Sequence, residues 1–156
     1  MAKACFTIRV DVGAEPERVH GLLSDLHALR VLHPLIEEVQ DLEPDPEHPE
    51  AHRYRVIDRI PMGPIRLRAA YTATLWAVSP KEVRGTAEQF PRIRLDTTYH
   101  ISKTKSGTQL NETVHLTAPR PLCSWVRRHA EAAHRAMLDR LKTHLESTTG
   151  VTSELG

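Results

Sequence analysis

Apolar and polar residues alternate along most of this chain, the pattern of strands with one buried face. In CFTIRVDV, Phe6, Ile8, Val10 and Val12 share one side, while Thr7, Arg9 and Asp11 share the other. HRYRVIDRI repeats the pattern, with Tyr54, Val56, Asp58 and Ile60 against Arg53, Arg55 and Arg59. The stretch from Ile65 to Val78 sets Ile65, Leu67, Ala69, Tyr71, Ala73 and Leu75 inward. EVRGTAEQF reads as a strand in which Gly85 marks a bulge. RIRLDTTYHIS aligns Ile93, Leu95, Thr97, Tyr99 and Ile101, and TQLNETVHLTA aligns Leu110, Glu112, Val114 and Leu116. A further extended segment runs from Ile36 to Leu42. PMGP, SPKE and KTKSG supply turns, and the proline- and acid-rich Glu43–Glu50 stretch a loop.

The period becomes helical in two regions. After Gly13, Pro16 opens a helix carrying Val19, Leu22, Leu23 and Leu26 on one face. A second short helix with Leu29 and Leu32 stops before His33, because Pro34 disfavours helical backbone in its predecessor. Leu122 to Glu146 is a long amphipathic helix whose stripe is Leu122, Val126, Ala130, Ala133, Met137 and Leu141. The order is one strand, two short helices, six strands and a long helix. Hairpin-linked strands form an antiparallel meander, and the long helix must bury its stripe against that sheet. The class is α+β, with a single domain expected over residues 3–147 and a frayed tail over 148–156.

Composition narrows the functional classes. The chain has 156 residues, 40% hydrophobic and 26% charged, with formal net charge +1. That is ordinary for one globular domain and gives no global attraction to nucleic acid or an anionic membrane. Two cysteines, Cys5 and Cys123, make no disulfide framework, so a reducing cytoplasm is the expected setting. No apolar run reaches the length of a bilayer span, and the N-terminus lacks the features of a signal peptide.

Candidate chemistry begins with two carboxylates. Alternation places Asp58 and Glu112 on inward faces, where an unpaired carboxylate is costly. Each is either a ligand anchor or acid–base group, or a strand-end residue that reaches solvent or an arginine. Tyr54, Tyr71 and Tyr99 share the inward set. His33 is a candidate hydrogen-bonding or proton-carrying group, on the mouth side of any cavity that the short helices before it would close. The histidines of HAEAAH, His129 and His134, lie about 140° apart around a helix. They therefore lack the i, i+4 face of a zinc helix, and no metal site is expected. Arg53, Arg55, Arg59, Arg66 and Arg68, with Arg92 and Arg94 nearby, read as a solvated outer sheet face rather than a nucleic-acid surface.

The element order, together with AEPERVHGLLSDLHALRVLHPLIEEVQ, resembles the helix-grip (START-related, SRPBCC) superfamily. It includes lipid-transfer domains, the birch-pollen-allergen type and bacterial polyketide cyclases and dehydratases. Leu32-His33-Pro34-Leu35 and Val39 occupy the family's short-helix, His-Pro-like and apolar-strand places, with Leu32 where a tryptophan is common. The resemblance implies a curved seven-stranded antiparallel sheet around the C-terminal helix, with an elongated cavity between them. Small residues at Ala69, Ala73, Gly85, Ala87 and Ala133 agree with unfilled volume. On this reading Tyr54, Val56, Asp58, Leu67, Tyr71, Leu95, Thr97, Tyr99, Ala130, Ala133 and Met137 contact an apolar or amphipathic ligand, lipid-like or polyketide-like. The helices ending at His33-Pro34 close one end of the cavity beside the Glu43–Glu50 loop. The expected function is binding, without a cofactor, nucleic acid or stable membrane insertion. The alternative is a cyclase, aromatase or dehydratase in which Asp58, Glu112 or His33 moves protons with the tyrosines.

Overall fold

The computed structural model describes residues 1–155, with side chains through residue 147. It begins with β1 (Ala2–Val12), α1 (Pro16–Leu23), α2 (Leu26–Arg30) and β2 (Ile36–Leu42). The strands β3 (His52–Met62), β4 (Ile65–Ser79), β5 (Glu82–Gln89), β6 (Ile93–Thr104) and β7 (Gly107–Ala118) precede α3 (Arg120–Leu155). All seven strands form one antiparallel sheet in the order β1-β7-β6-β5-β4-β3-β2. This is the helix-grip architecture, a curved sheet holding a long C-terminal helix. The helix extends further than its sequence pattern suggested, and its backbone is helical to Leu155. Side chains from residue 148 and all of residue 156 lie outside the described residues, and with them the expected fraying of the tail.

Strand alternation translates directly into burial. Phe6, Ile8 and Val12 of β1 are buried, as are Tyr54 and Val56 of β3 and Leu110, Val114 and Leu116 of β7. Asp25 caps α2 by accepting from the His27 backbone N–H at 2.9 Å, satisfying one of the helix's open donors. Leu29 and Leu32 then enter the core, and Pro34 turns the chain into β2. The turn between β3 and β4 is Gly63-Pro64, with Gly63 at φ +60°. A glycine in left-handed backbone followed by proline suits a tight two-residue hairpin. Gly85 does not sit at a bulge; it pairs regularly with Leu75, and the β4–β5 register shifts between Ala77 and Ser79 instead. A Cβ on Gly85 would stand 3.1 Å from Leu75 Cδ1, so close sheet-face packing accounts for this glycine.

The helix is tied to one edge of the sheet. Lys142 Nζ donates to the Asp11 carbonyl at 2.6 Å and to Glu146 Oε2 at 2.7 Å. That same Oε2 accepts from the Gly13 N–H at 2.9 Å. These bonds fix the C-terminal half of α3 on the end of β1. Met137, Leu138, Leu141 and Leu145 are buried there with Phe6, Ile8 and Leu110 in one core cluster.

At Gly107 the chain needs a conformation and a clearance that only glycine supplies. Its φ is +146°, and an added Cβ would lie 2.3 Å from the Val12 carbonyl oxygen and 2.9 Å from Ala14 N. Beside it, Thr108 donates its buried hydroxyl to the Ala14 carbonyl at 2.7 Å. Gly107→Ala should therefore destabilise the fold by at least about 2 kcal/mol, measured by chemical denaturation. An unchanged midpoint would contradict this account of the β1–β7 junction.

Candidate functional site

Away from the clamped edge, α3 stands off the sheet and encloses a cavity of about 570 Å³. Strands β3 to β6 form one wall through Asp58, Ile60, Leu67, Tyr71, Ala87 and Leu95. The other wall is α3 from Pro121 to His134, including Trp125, Ala130 and Ala133. At about 1.5 Å rise per residue that helical stretch makes the cavity roughly 20 Å long. One end is open and apolar. Met62 and Leu67 are each 47% exposed, and Phe90 is 90% exposed. Trp125 also lines this side, its ring 4.2 Å from that of His129. The other end is enclosed and polar, with His33, Asp58, Tyr71 and His134 on its wall.

Asp58 is where alternation placed it, on the inward face beside Val56, and is only 9% exposed. Its Oδ1 is buried with no hydrogen-bond partner. Burial raises its pKa to about 6, although the Tyr71 hydroxyl and the charge on His134 pull part of the shift back. Burial and then the Asp58 charge hold the Tyr71 hydroxyl well above its ordinary value. The Asp58 carboxylate is thus poised between protonation states rather than locked to a cation.

Glu112 is fully buried, and His134 Nδ1 lies 2.7 Å from its Oε2. Burial alone would depress the imidazolium, but the Glu112 charge and hydrogen bond outweigh it and raise the His134 pKa. With Nδ1 committed to Glu112, Nε2 is the remaining ring nitrogen. Tyr99 is the cross-strand neighbour of Glu112, and burial followed by that negative charge pushes its hydroxyl well up. His33 behaves oppositely. Burial, then His134 and Arg140, lower its pKa to about 3. Its Nδ1 accepts from the Leu35 N–H at 3.2 Å, so the proton of the neutral ring sits on Nε2. The two imidazoles are 6.1 Å apart between centroids.

Of the residues singled out from sequence, His33, Asp58, Leu67, Tyr71, Leu95, Ala130 and Ala133 line the cavity. Tyr54, Val56, Thr97, Tyr99 and Met137 do not. Tyr54, Val56, Tyr99 and Met137 belong to the solid core, and the Tyr54 ring lies against His27 and His52. Glu112 lies behind the wall and meets the cavity through His134. The Glu43–Glu50 loop is not at the mouth, because it enters β3 at His52, whereas the mouth lies at the opposite end by Met62. His33 lies beside His134, with 6.1 Å between ring centroids, and so marks the enclosed end rather than the opening. Ala69 and Ala73 do not form the wall facing Ala130 and Ala133; Ala87 is one of the small wall residues. His134 was the decisive omission. It follows Ala130 by four positions, so it lies on the stripe already identified.

Three arginines of the outer face, Arg59, Arg68 and Arg94, are ion-paired. Arg59 reaches Glu37 at 3.0 Å and Arg68 reaches it at 3.4 Å. Arg53 donates to the Glu43 carbonyl at 3.1 Å, and Arg94 bridges Glu88 and Asp96. Among the described residues no group of three or more His, Cys, Asp or Glu side chains is placed to hold a metal ion. No helix among them is long and apolar enough to cross a membrane.

Residues 3–146 match the family described as polyketide cyclase / dehydrase and lipid transport. No curated protein matches the sequence. Solved structures share the fold at low identity. The di-domain ARO/CYC StfQ of the steffimycin biosynthetic pathway is 13% identical with a TM-score of 0.78. The match covers 95% of this chain and 52% of StfQ. BexL, the di-domain ARO/CYC of the BE-7585A pathway, is 15% identical with a TM-score of 0.76, covering 92% and 50% respectively. The chain therefore spans about half the length of these two structures. A START superfamily protein from Mycobacterium smegmatis is 15% identical with a TM-score of 0.69, over 94% of this chain and 98% of that one.

Two outcomes follow from these electrostatics. The folded Asp58 holds its proton to about pH 6 instead of 3.8. Its ionisation therefore costs stability that sets in as pH rises through that window and is complete above it. Asp58→Asn should be more stable than the parent at pH 8, by up to about 3 kcal/mol, and nearly equal to it below pH 4. Denaturation at the two pH values checks this. Glu112→Gln should drop the His134 pKa below 6.5, since burial, the largest influence on it, is then opposed only by the more weakly acting Asp58 charge. An NMR titration that still found His134 raised would overturn the pairing.

Proposed function

This chain belongs to the polyketide cyclase / dehydrase and lipid transport family, and on that premise we propose that it binds an elongated apolar or amphipathic small molecule. The observation that carries the reading is the cavity itself, with apolar walls, one open end and a few convergent polar groups at the enclosed end. Its volume lies within the range of ordinary small-molecule sites. The exposed mouth residues give an apolar molecule a path inward, and the buried polar end gives it an orientation. Cys5 and Cys123 are both free thiols, which fits a reducing cytoplasmic setting.

A second reading, proton transfer on the bound molecule, is favoured by the chemistry of that enclosed end. A buried carboxylate with a pKa of about 6 is suited to act as a general base near neutral pH. His134, held by Glu112 and more basic than usual, is suited to return a proton. Together they fit removal of a proton beside a carbonyl and protonation of a departing hydroxyl, the steps of cyclisation and dehydration. The ARO/CYC relatives in the same fold support this reading. Any such reaction should fall by at least 100-fold in Asp58→Asn while uptake of a wholly apolar probe persists.

Binding is tested at Ala133, which lines the cavity on α3 and is only 7% exposed. Adding a large ring to a filled core typically costs about 1–3 kcal/mol. Here the ring has empty volume to enter. Ala133→Phe should keep its melting temperature and lose uptake of a neutral naphthylamine probe. A strongly destabilised variant would show a filled interior at this point, and a stable variant with full probe uptake would place the site elsewhere.

A further inference from the structure

The enclosed end of the cavity has an unbalanced set of hydrogen-bonding groups. Asp58 is nine-tenths buried on the cavity wall, and its Oδ1 has no partner within the protein. A buried acceptor without a donor is costly, so the site favours a ligand that brings one. His33 presents the complementary group. Its Nδ1 is already accepting from Leu35, which leaves Nε2–H as the donor on the ring, and His33 shares the cavity wall with Asp58. The acceptor Asp58 Oδ1 and the donor His33 Nε2–H therefore stand open on one wall, beside the His134 Nε2 that Glu112 leaves uncommitted.

We infer that the cavity selects elongated apolar molecules whose buried end is a neutral hydroxyl, an alcohol or phenol, and discriminates against the same skeleton ending in a carboxylate. The inference rests on the binding reading above and names the ligand's head group. A hydroxyl donates to Asp58 Oδ1 without adding charge, and its own oxygen remains free to accept from a donor on the same wall, of which His33 Nε2–H is one. A carboxylate head has no proton to offer Asp58 and sets a second negative charge beside it, while the cation on this wall, His134, is already paired with Glu112. Like charges in a water-poor pocket repel strongly. An ammonium head would pair with Asp58, but it brings three N–H donors out of water to one open acceptor on the cavity wall, Asp58 Oδ1, and the unmatched donors lose their hydration. The neutral head avoids both penalties.

The test uses the full chain at pH 7.5 and a neutral fluorescent probe, N-phenyl-1-naphthylamine, displaced by three ligands of equal chain length. 1-Decanol should displace the probe at least tenfold more tightly than decanoate, and more tightly than decylamine. In Asp58→Asn the preference for decanol over decanoate should shrink to less than about threefold, because the replacing amide can donate to a carboxylate. Equal affinities for all three ligands, or tightest binding by decanoate or decylamine, would overturn the head-group inference while leaving the cavity reading intact. A selectivity that survives Asp58→Asn unchanged would also overturn it. Failure of the probe and of every ligand to bind would remove the cavity reading itself, and this inference with it.

Discussion

Glu112 must have a partner, because a carboxylate with no solvent exposure is tolerated only when its charge is compensated. The partner is His134, 2.7 Å away on α3. That single contact joins the middle of β7 to the middle of the long helix. It also fixes the position along α3 at which solid core gives way to open volume. On the C-terminal side, Met137, Leu138 and Leu141 fill the space against β1 and β7. On the N-terminal side, Ala133, Ala130 and Val126 face empty space. The ion pair is thus both a strut between two layers and the inner boundary of the cavity.

The cavity persists for reasons that are structural rather than accidental. The helix is held at its far end by Lys142 and Glu146, which bond to the backbone at Asp11 and Gly13. With that end fixed and His134 held at mid-length, the N-terminal part of α3 is not free to collapse onto β3–β6. Its facing side chains are alanines, too short to cross the gap. Ala130 and Ala133 cannot reach the opposing Ile60, Leu67, Tyr71 and Leu95 across a gap held open in this way, so a void remains that a close-packed interior otherwise avoids. The hairpin tips at Met62 and the turn at Phe90 extend past this region and keep the outer end open.

Much of this was legible in sequence because it follows from local periodicity. Alternation put Asp58, Tyr71, Leu67 and Leu95 inward, and the helical wheel put Ala130 and Ala133 on the buried stripe. Alternation cannot say where along a strand the covering helix is close and where it is distant. Tyr54, Val56, Thr97 and Tyr99 share faces with true wall residues, yet they sit beyond the level of Asp58 and Leu95. That level is set by the clamp between α3 and β1, residues more than a hundred positions apart in the chain. His134 stands five positions from His129, the wrong spacing for a metal helix, and four from Ala130, the right spacing for the buried stripe. Met62, Phe90 and Trp125 form the mouth only because two hairpin turns and the first part of α3 converge there, and no local pattern encodes that convergence.

The polar end shows how one small volume separates the behaviour of like groups. His33 and His134 are neighbouring imidazoles, yet one is held near pKa 3 and the other is raised. The difference is the Glu112 carboxylate, which touches one ring and not the other. Asp58 and Glu112 are likewise both buried, yet Glu112 has its cation and Asp58 has none. A fold selected for stability alone would gain by replacing the uncompensated carboxylate with an apolar residue of similar size. Groups pushed to opposite protonation behaviour within one pocket are the arrangement that lets a site offer a donor and an acceptor at the same pH. Keeping Asp58 open therefore has physical sense only if something that enters the cavity meets it. Under the proposed binding function, the enclosed end would supply specificity and the apolar walls affinity.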